Sequence, residues 1–280
     1  MSLLSKLEYQ NNFTELEKEI ADYIIDNKDD IADLKITELA EFTYTSPSTI
    51  SRFCRKLGEK NYNDFRIHFA SSVIKEYKSN IDYNKPFLPE DNTKQIINKM
   101  GDLYKETIES TKDLLDIEIL EKVIGLLSKK DRIDVYGMGN SYITALSFER
   151  KMMNTPYFVN LKHIPADQRK WAAFSNKNTV SIVISYSGEN DEIKKIVDCI
   201  KDNNGIIIAI TSLHESYLRK NANYCLTMCS KENVFSKIES FSSKVSSDYI
   251  MDILFSLLFR TNYNINLIEK LTRERKYKNK

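Results

Sequence analysis

Glycine and proline are scarce in this chain, with seven and five in 280 residues. With no repeats and no low-complexity tract, that scarcity excludes a fibrous or flexible-linker polypeptide. Histidine is scarcer still: His68, His163 and His214 lie far apart, with no metal-ligand spacing between them. Four cysteines (Cys54, Cys199, Cys225, Cys229) form no C-x-x-C pair and read as free, buried thiols. No apolar run approaches the roughly 20 residues that span a bilayer. The opening stretch MSLLSKLEYQNNFTELEKEI turns acidic too soon for a signal peptide, so a cytoplasmic protein with no membrane partner is expected.

What is present is a soluble-protein balance, 41% hydrophobic and 29% charged. The net charge of +1 hides an asymmetry. Residues 1–43 carry 4 Lys/Arg against 11 Asp/Glu, a net of −7; residues 44–78 carry 7 against 3, a net of +4. A local basic patch of this kind is a nucleic-acid signal, although a solvated helix face gives the same composition.

The hydrophobic rhythm divides the chain. Residues 14–77 show helical periodicity, and SNIDYNKPFLPEDN (79–92), with Pro86 and Pro89, reads as an extended linker. Helical patterns follow near 93–111 and 116–128. Beyond residue 132, short apolar runs alternate with stretches of helical length: IDVYG (133–137), YFVNL (157–161), VSIVIS (180–185), IIIAIT (206–211) and YCLTM (224–228). That alternation predicts βαβ units and a parallel sheet buried on both faces. A last long helix is expected over about 238–260, with apolar positions such as Val245, Tyr249, Ile250, Ile253 and Leu257, ahead of a solvated basic tail, RERKYKNK. The expected domains are therefore an all-α unit over 1–78, a linker over 79–92 and an α/β unit over 93–280, its core about 125–260.

Within the first unit, Thr14 and Glu17 fit a capping box, and the Leu16, Ile20, Tyr23, Ile24 stripe carries a helix to about Asn27. A short helix over 37–42 and the brief turn TYT lead to SPSTISRFCRKLG (46–58). Ser46 suits the N-cap, Pro47 the first helical position and Gly58 the stop. Ile50, Phe53, Cys54 and Leu57 fall on one face. Ser48, Arg52, Arg55 and Lys56 fall opposite. Two helices in tight sequence, the second cationic outside, suit a helix-turn-helix reading double-stranded DNA. Arginine reads guanine edges, while Lys, Ser and Thr hold phosphates. Ser46, Ser48, Thr49, Arg52, Arg55 and Lys56 are the candidate DNA contacts; an ordinary charged surface helix is the plainer alternative.

In the second unit two strands end in small polar residues, GMGNS (137–141) and SYSGEN (185–190), each at the start of a helix. Parallel sheets bind ligands at the carboxyl ends of their strands, and helix N-termini favour anions. Three of the seven glycines (Gly137, Gly139, Gly188) fall in these two turns. Nucleotide motifs fit poorly: GMGNSY lacks the third glycine of G-x-G-x-x-G, and no G-x-x-x-x-G-K-[ST] occurs.

GMGNS followed some 45 residues later by SYSGEN resembles the sugar isomerase (SIS) domain, a phosphosugar-binding α/β fold. With a helix-turn-helix domain ahead of it, the chain resembles the RpiR-type bacterial transcription regulators over nearly its whole length. GEKNYNDFRIHF (58–69) and SFSSKVSSDYIMDILF (240–255) extend the match. The family pattern usually has Thr at the place of Asn190 and Arg at the place of Lys244. The resemblance implies that Ser185 and Ser187 donate hydroxyls to a sugar phosphate, that Gly188 permits close backbone approach, and that Asn190 caps its helix and contacts the ligand. It further implies that Gly139, Asn140 and Ser141 line the other side, with Glu239, at the start of the last helix, within reach. A regulator of carbohydrate-metabolism genes with no cofactor, no metal and no catalytic residue is implied, acting as a homodimer or homotetramer on an operator. The alternative is a phosphosugar isomerase or lyase, which would need a base and a ring-opening acid in the pocket.

Overall fold

The computed structural model describes residues 3–10, 13–78, 81–130, 132–229 and 231–278. It divides into two units, Met1–Asp82 and Tyr83–Lys280, each with its own apolar core.

The first unit is helical: α1 (Leu3–Tyr9), α2 (Glu15–Asp26), α3 (Ile36–Phe42), α4 (Pro47–Lys56) and α5 (Tyr62–Lys78). The start of α2 is the capping box read from the sequence. Thr14 N–H donates to Glu17 Oε2 at 2.7 Å, and Glu17 N–H to Thr14 Oγ1 at 3.3 Å. Leu3, Leu4 and Leu7 of α1 join Ile20, Ile24, Leu39, Ile50, Phe53, Leu57, Phe65 and Phe69 in one core. The helix α1 has no counterpart in the sequence reading.

The second unit begins with α6 (Thr93–Leu114) and α7 (Ile117–Leu127). The sheet elements follow: β1 (Arg132–Gly137), α8 (Asn140–Met152), β2 (Phe158–Leu161), α9 (Pro165–Ala172), β3 (Val180–Ile184), α10 (Asp191–Asp202), β4 (Ile206–Thr211), α11 (Tyr217–Asn221) and β5 (Tyr224–Thr227). Two helices close it, α12 (Ser242–Thr261) and α13 (Tyr263–Lys278). All strand pairs are parallel, in the order β2-β1-β3-β4-β5. One face of the sheet packs on α7, α8 and α12, the other on α9, α10 and α11. The central strands β1, β3 and β4 are therefore buried on both sides, as their mainly apolar runs require. Strand order reverses between β1 and β3, so the loops that follow these two strands diverge and leave a crevice at their carboxyl ends.

Three expectations are revised. The stretch expected as a linker belongs largely to the second unit: Tyr83 is 6% exposed and its hydroxyl donates to Glu106 Oε1 at 2.7 Å. The last long helix starts at Ser242, not near 238, and its innermost side is Ser242, Ser243, Ser246, Ser247, Ile250, Met251, Leu254 and Leu258. Small residues let α12 approach α6 and α8 closely, and their hydroxyls are satisfied there. Thr107 Oγ1 bonds Ser242 Oγ at 3.0 Å, Thr111 Oγ1 bonds Ser246 Oγ at 2.8 Å, and Thr144 Oγ1 bonds Ser247 Oγ at 3.1 Å. The basic tail continues α13 as far as Lys278, because Lys, Arg and Glu are good helix formers and neither glycine nor proline interrupts them; its last two residues lie outside the described chain.

Candidate functional site

In the first unit, α3 and α4 are joined by the turn Thr43–Ser46, with Tyr44 at φ 51°. Ser46 accepts from Thr49 N–H at 3.2 Å, Pro47 opens α4, and Gly58 at φ +92° follows its end. Ile50, Phe53, Cys54 and Leu57 are all buried, and burial pushes the Cys54 thiol up to about 12. Ser46, Ser48, Arg52, Arg55 and Lys56 are exposed and Thr49 half-buried. Their engagements differ. Ser46 Oγ lies 2.7 Å from Ser48 Oγ and 2.9 Å from Thr49 Oγ1, a hydroxyl cluster at the helix start. Lys56 is turned back on α2, donating to Glu17 Oε2 at 2.6 Å beside the Phe13 ring. Arg52 and Arg55 make no ion pair among the described residues.

In the second unit a cavity of about 200 Å³ opens at the β1/β3 crevice. Three strand-to-helix connections line it. The first is GMGNS, giving Met138, Asn140 and Ser141. Gly139, at φ +55°, is the N-cap of α8 and supplies no capping side chain; the Ser141 and Tyr142 N–H groups donate instead to the Met138 and Gly139 carbonyls, both at 3.1 Å. Gly137 is required for packing: a Cβ there would lie 2.8 Å from the Ser141 carbonyl. Its backbone N–H and C=O are paired at 3.1 Å by the side-chain amide of buried Gln168.

The second connection is SYSGEN, giving Ser185, Tyr186, Ser187 and Asn190. Ser185 is 7% exposed; its Oγ accepts from Gly188 N–H at 3.2 Å, and Ser187 Oγ accepts from Glu189 N–H at 3.3 Å. A hydroxyl that accepts still has its own proton to donate, so both remain donors toward the cavity. Asn190 caps α10, its Oδ1 accepting from Glu192 and Ile193 N–H at 3.0 and 3.3 Å. Gly188 is at φ +66°, and a Cβ there would lie 2.7 Å from Ser216 Cβ and closer still to Ser216 Oγ. The glycine therefore answers to its backbone conformation and to Ser216 at the start of α11 behind it; neither Gly188 nor Gly139 is among the lining residues.

The third connection, residues 231–241 between β5 and α12, gives Val234, Lys237 and Ser240; the first turns of α12 add Ser243, Lys244 and Ser247. Glu239 sits in this loop rather than on the helix, is exposed, and does not line the cavity. It reaches the rim by accepting from Asn140 Nδ2 at 3.1 Å. The Ser240 backbone N–H, at 2.7 Å, and then the Asn140 amide hold its carboxyl below the usual carboxylate range. Behind the cavity lies a carboxylate that the sequence reading missed. Glu232, its side chain wholly buried, accepts from Ser243 N–H at 2.9 Å, Ser243 Oγ at 2.7 Å and Lys237 Nζ at 2.7 Å. Lys244 is paired with Asp248. Lys237 and Lys244 thus bring two cations to the cavity lining, each paired with a carboxylate. A serine-rich first turn on an otherwise apolar helix was the available signal for Ser243, Lys244 and Ser247; nothing in the sequence spacing marked Glu232 or Lys237.

Comparison with known proteins places this geometry. Residues 1–76 match the helix-turn-helix domain of the rpiR family, and residues 126–256 match the SIS domain. An HTH-type transcriptional regulator of Caldanaerobacter subterraneus subsp. tengcongensis, itself uncharacterised, is 30% identical over 261 residues, 92% of this chain and 90% of that one. The chain belongs to the RpiR family of transcription regulators. Among solved structures, the Vibrio vulnificus NanR protein complexed with ManNAc-6P shares the fold over 98% of this chain and 97% of its own (TM-score 0.60, 21% identity). The sugar isomerase domain of an RpiR transcription factor from Sphaerobacter thermophilus aligns over 65% of this chain and 99% of its own (TM-score 0.58, 14% identity). A phosphoheptose isomerase from Francisella tularensis aligns over 61% and 100% (TM-score 0.51, 17% identity). The second unit has the SIS fold, and the helix-turn-helix unit ahead of it makes the regulator a DNA-binding protein. Among the described residues, no helix is long and apolar enough to cross a membrane.

Proposed function

We propose that the crevice of the second unit binds the phosphate of a phosphorylated sugar, and that its occupancy sets how strongly α4 holds an operator. The observation that carries this reading is convergence. Ser141, Ser185, Ser187, Ser240, Asn140, Asn190 and the cations of Lys237 and Lys244 line one cavity at the N-terminus of α8, while the Ser243 and Ser247 hydroxyls beside them are engaged by Glu232 and by the Lys244 carbonyl. Donors and positive charge without bulk are what a phosphate needs. At about 200 Å³ the cavity is smaller than the roughly 300–1,000 Å³ of drug-sized clefts, which suits a small metabolite. The NanR complex with ManNAc-6P supports a sugar phosphate as the class. Met138, Val234 and Met228 give part of the wall an apolar surface for the sugar's non-phosphorylated end.

Binding rather than turnover is favoured by the state of the nearest acid and base groups. Glu232 is saturated by three donors, Glu239 stands at the rim, and His163 is bonded through Nδ1 to the Tyr142 hydroxyl, outside the lining. A cytoplasmic homodimer or homotetramer would present paired recognition helices to a palindromic site. Hexose 6-phosphates and N-acetylhexosamine 6-phosphates, screened by thermal shift and followed by NMR for isomerisation, test the reading. Stabilisation by at least one of them without conversion is expected. Conversion to a new sugar phosphate would identify an isomerase instead.

A further inference from the structure

The loop that supplies Val234 and Lys237 to the cavity is held from behind by the first residues of the second unit. Asn84 bonds it twice: Asn233 N–H donates to Asn84 Oδ1 at 2.6 Å, and Ile238 N–H donates to the Asn84 carbonyl at 2.9 Å. The two cavity-lining residues Val234 and Lys237 lie between those two bonds. Lys231 at the start of the loop and Tyr83 beside Asn84 both donate to Glu106 Oε1, at 2.8 and 2.7 Å, and the Lys231 ammonium sits 5.0 Å from the Tyr83 ring. At the far end of the loop, Phe241 packs edge-on against Phe87.

The same loop is joined to the phosphate-binding turn. The Tyr186 hydroxyl, on the residue between Ser185 and Ser187, donates to the Glu232 carbonyl at 2.7 Å and accepts from Glu232 N–H at 3.0 Å. The Lys237 ammonium lies 5.2 Å from the Tyr186 ring and donates to the Glu232 carboxylate. An unbroken series of bonds therefore runs from the SYSGEN turn through Tyr186 and Glu232 to residues 233–238, and from there to Asn84. Asn84 is the second residue after the chain leaves the helix-turn-helix unit at Asp82.

We propose that residues 231–241 read the occupancy of the cavity and that Asn84 is the clasp through which the reading passes to the chain leading into the DNA-binding unit. An anion among Ser185, Ser187 and Lys237 competes with Glu232 for the Lys237 ammonium. A change in that pairing shifts a segment that Asn84 brackets. The ligand can act only by binding one arrangement of this loop better than another, so the clasp converts differential binding into a change at residues 83–84. The inference rests on the sugar-phosphate reading given above.

The test uses the full chain, a DNA fragment selected from a random-sequence library by the wild-type protein, and whichever hexose 6-phosphate or N-acetylhexosamine 6-phosphate stabilises the wild type most. The wild-type DNA affinity is expected to change with this probe by a factor within the usual 5–150-fold range of coupling. In Asn84→Ala, which removes the side-chain bond to Asn233, probe affinity should stay within about threefold of wild type. Its DNA response should fall to within about twofold of none. Asn84→Asp, which keeps an acceptor oxygen in place, should retain most of the response. A full response in Asn84→Ala, or an equal loss in Asn84→Asp, would overturn the clasp. A wild type that binds the probe with no change in DNA affinity would overturn it while leaving the binding site standing; a wild type that binds no sugar phosphate would overturn both.

Discussion

Gly188 has a conformational and steric role that the sequence alone did not reveal. In the sequence it stands as a clearance for a ligand. In the fold it holds φ +66° and backs onto Ser216 and Thr211. The burden is therefore conformational and steric, and it falls on stability. Gly188→Ala should lower the free energy of unfolding by about 1–3 kcal/mol, the cost of forcing a side chain into this backbone region, before any adjustment at Ser216. Urea denaturation of the variant checks this; an unchanged midpoint would mean that the turn relaxes freely. Ser185 and Ser187 were legible as residues of the crevice because they close the apolar run of a strand, where a parallel sheet opens to its ligand side. Glu232 and Lys237 were not legible, since they reach the cavity only when β5 and α12 are brought beside β3, and no local periodicity records that contact.

At the scale of elements, helix boundaries were legible where short-range chemistry sets them. Thr14 with Glu17, Ser46 with Pro47, and Asn190 ahead of α10 are caps that act within four residues, and each is found at its helix start. The apolar positions of α12 did not reveal how its first half packs. Its closest neighbours, α6 and α8, instead approach along serines paired with Thr107, Thr111 and Thr144. The helix α4 carries the prediction that belongs to this scale. Its two outward guanidiniums, Arg52 and Arg55, make no ion pair among the described residues, while Lys56 is engaged by Glu17. Arg52→Ala should then cost about 1–3 kcal/mol in operator binding and relax specificity at one base position. Lys56→Ala should act weakly and evenly on all sequences, as loss of a phosphate contact does. Competition binding against operator variants separates the two. Unchanged operator affinity in both Arg52→Ala and Arg55→Ala, with intact folds, would remove α4 from the reading role.

For the whole molecule, the parallel sheet and the all-α unit were legible from the change of rhythm near residue 132. The strand order β2-β1-β3-β4-β5 was not, although it alone makes the β1/β3 crevice the place where the two small-residue turns meet. The attachment of residues 83–92 to the second unit was not legible, because proline and a lack of aliphatic residues describe an extended chain whether it is free or, as at Tyr83 and Asn84, bonded to a neighbour. Under the proposed function, an anion held by the SYSGEN turn controls DNA held by α4. The most direct test is to titrate the DNA-bound protein with the sugar phosphate that stabilises it best, using wild type and the double variant Ser185→Ala/Ser187→Ala. A hydrogen bond to a charged group contributes roughly 1.5–3 kcal/mol, and about 1.4 kcal/mol is a tenfold change in affinity. The account predicts that the double variant binds the same DNA with unchanged affinity in the absence of the sugar phosphate and needs at least about tenfold more of it to respond. A double variant that responds at wild-type concentrations would contradict the account and leave the two serines as caps of their turn.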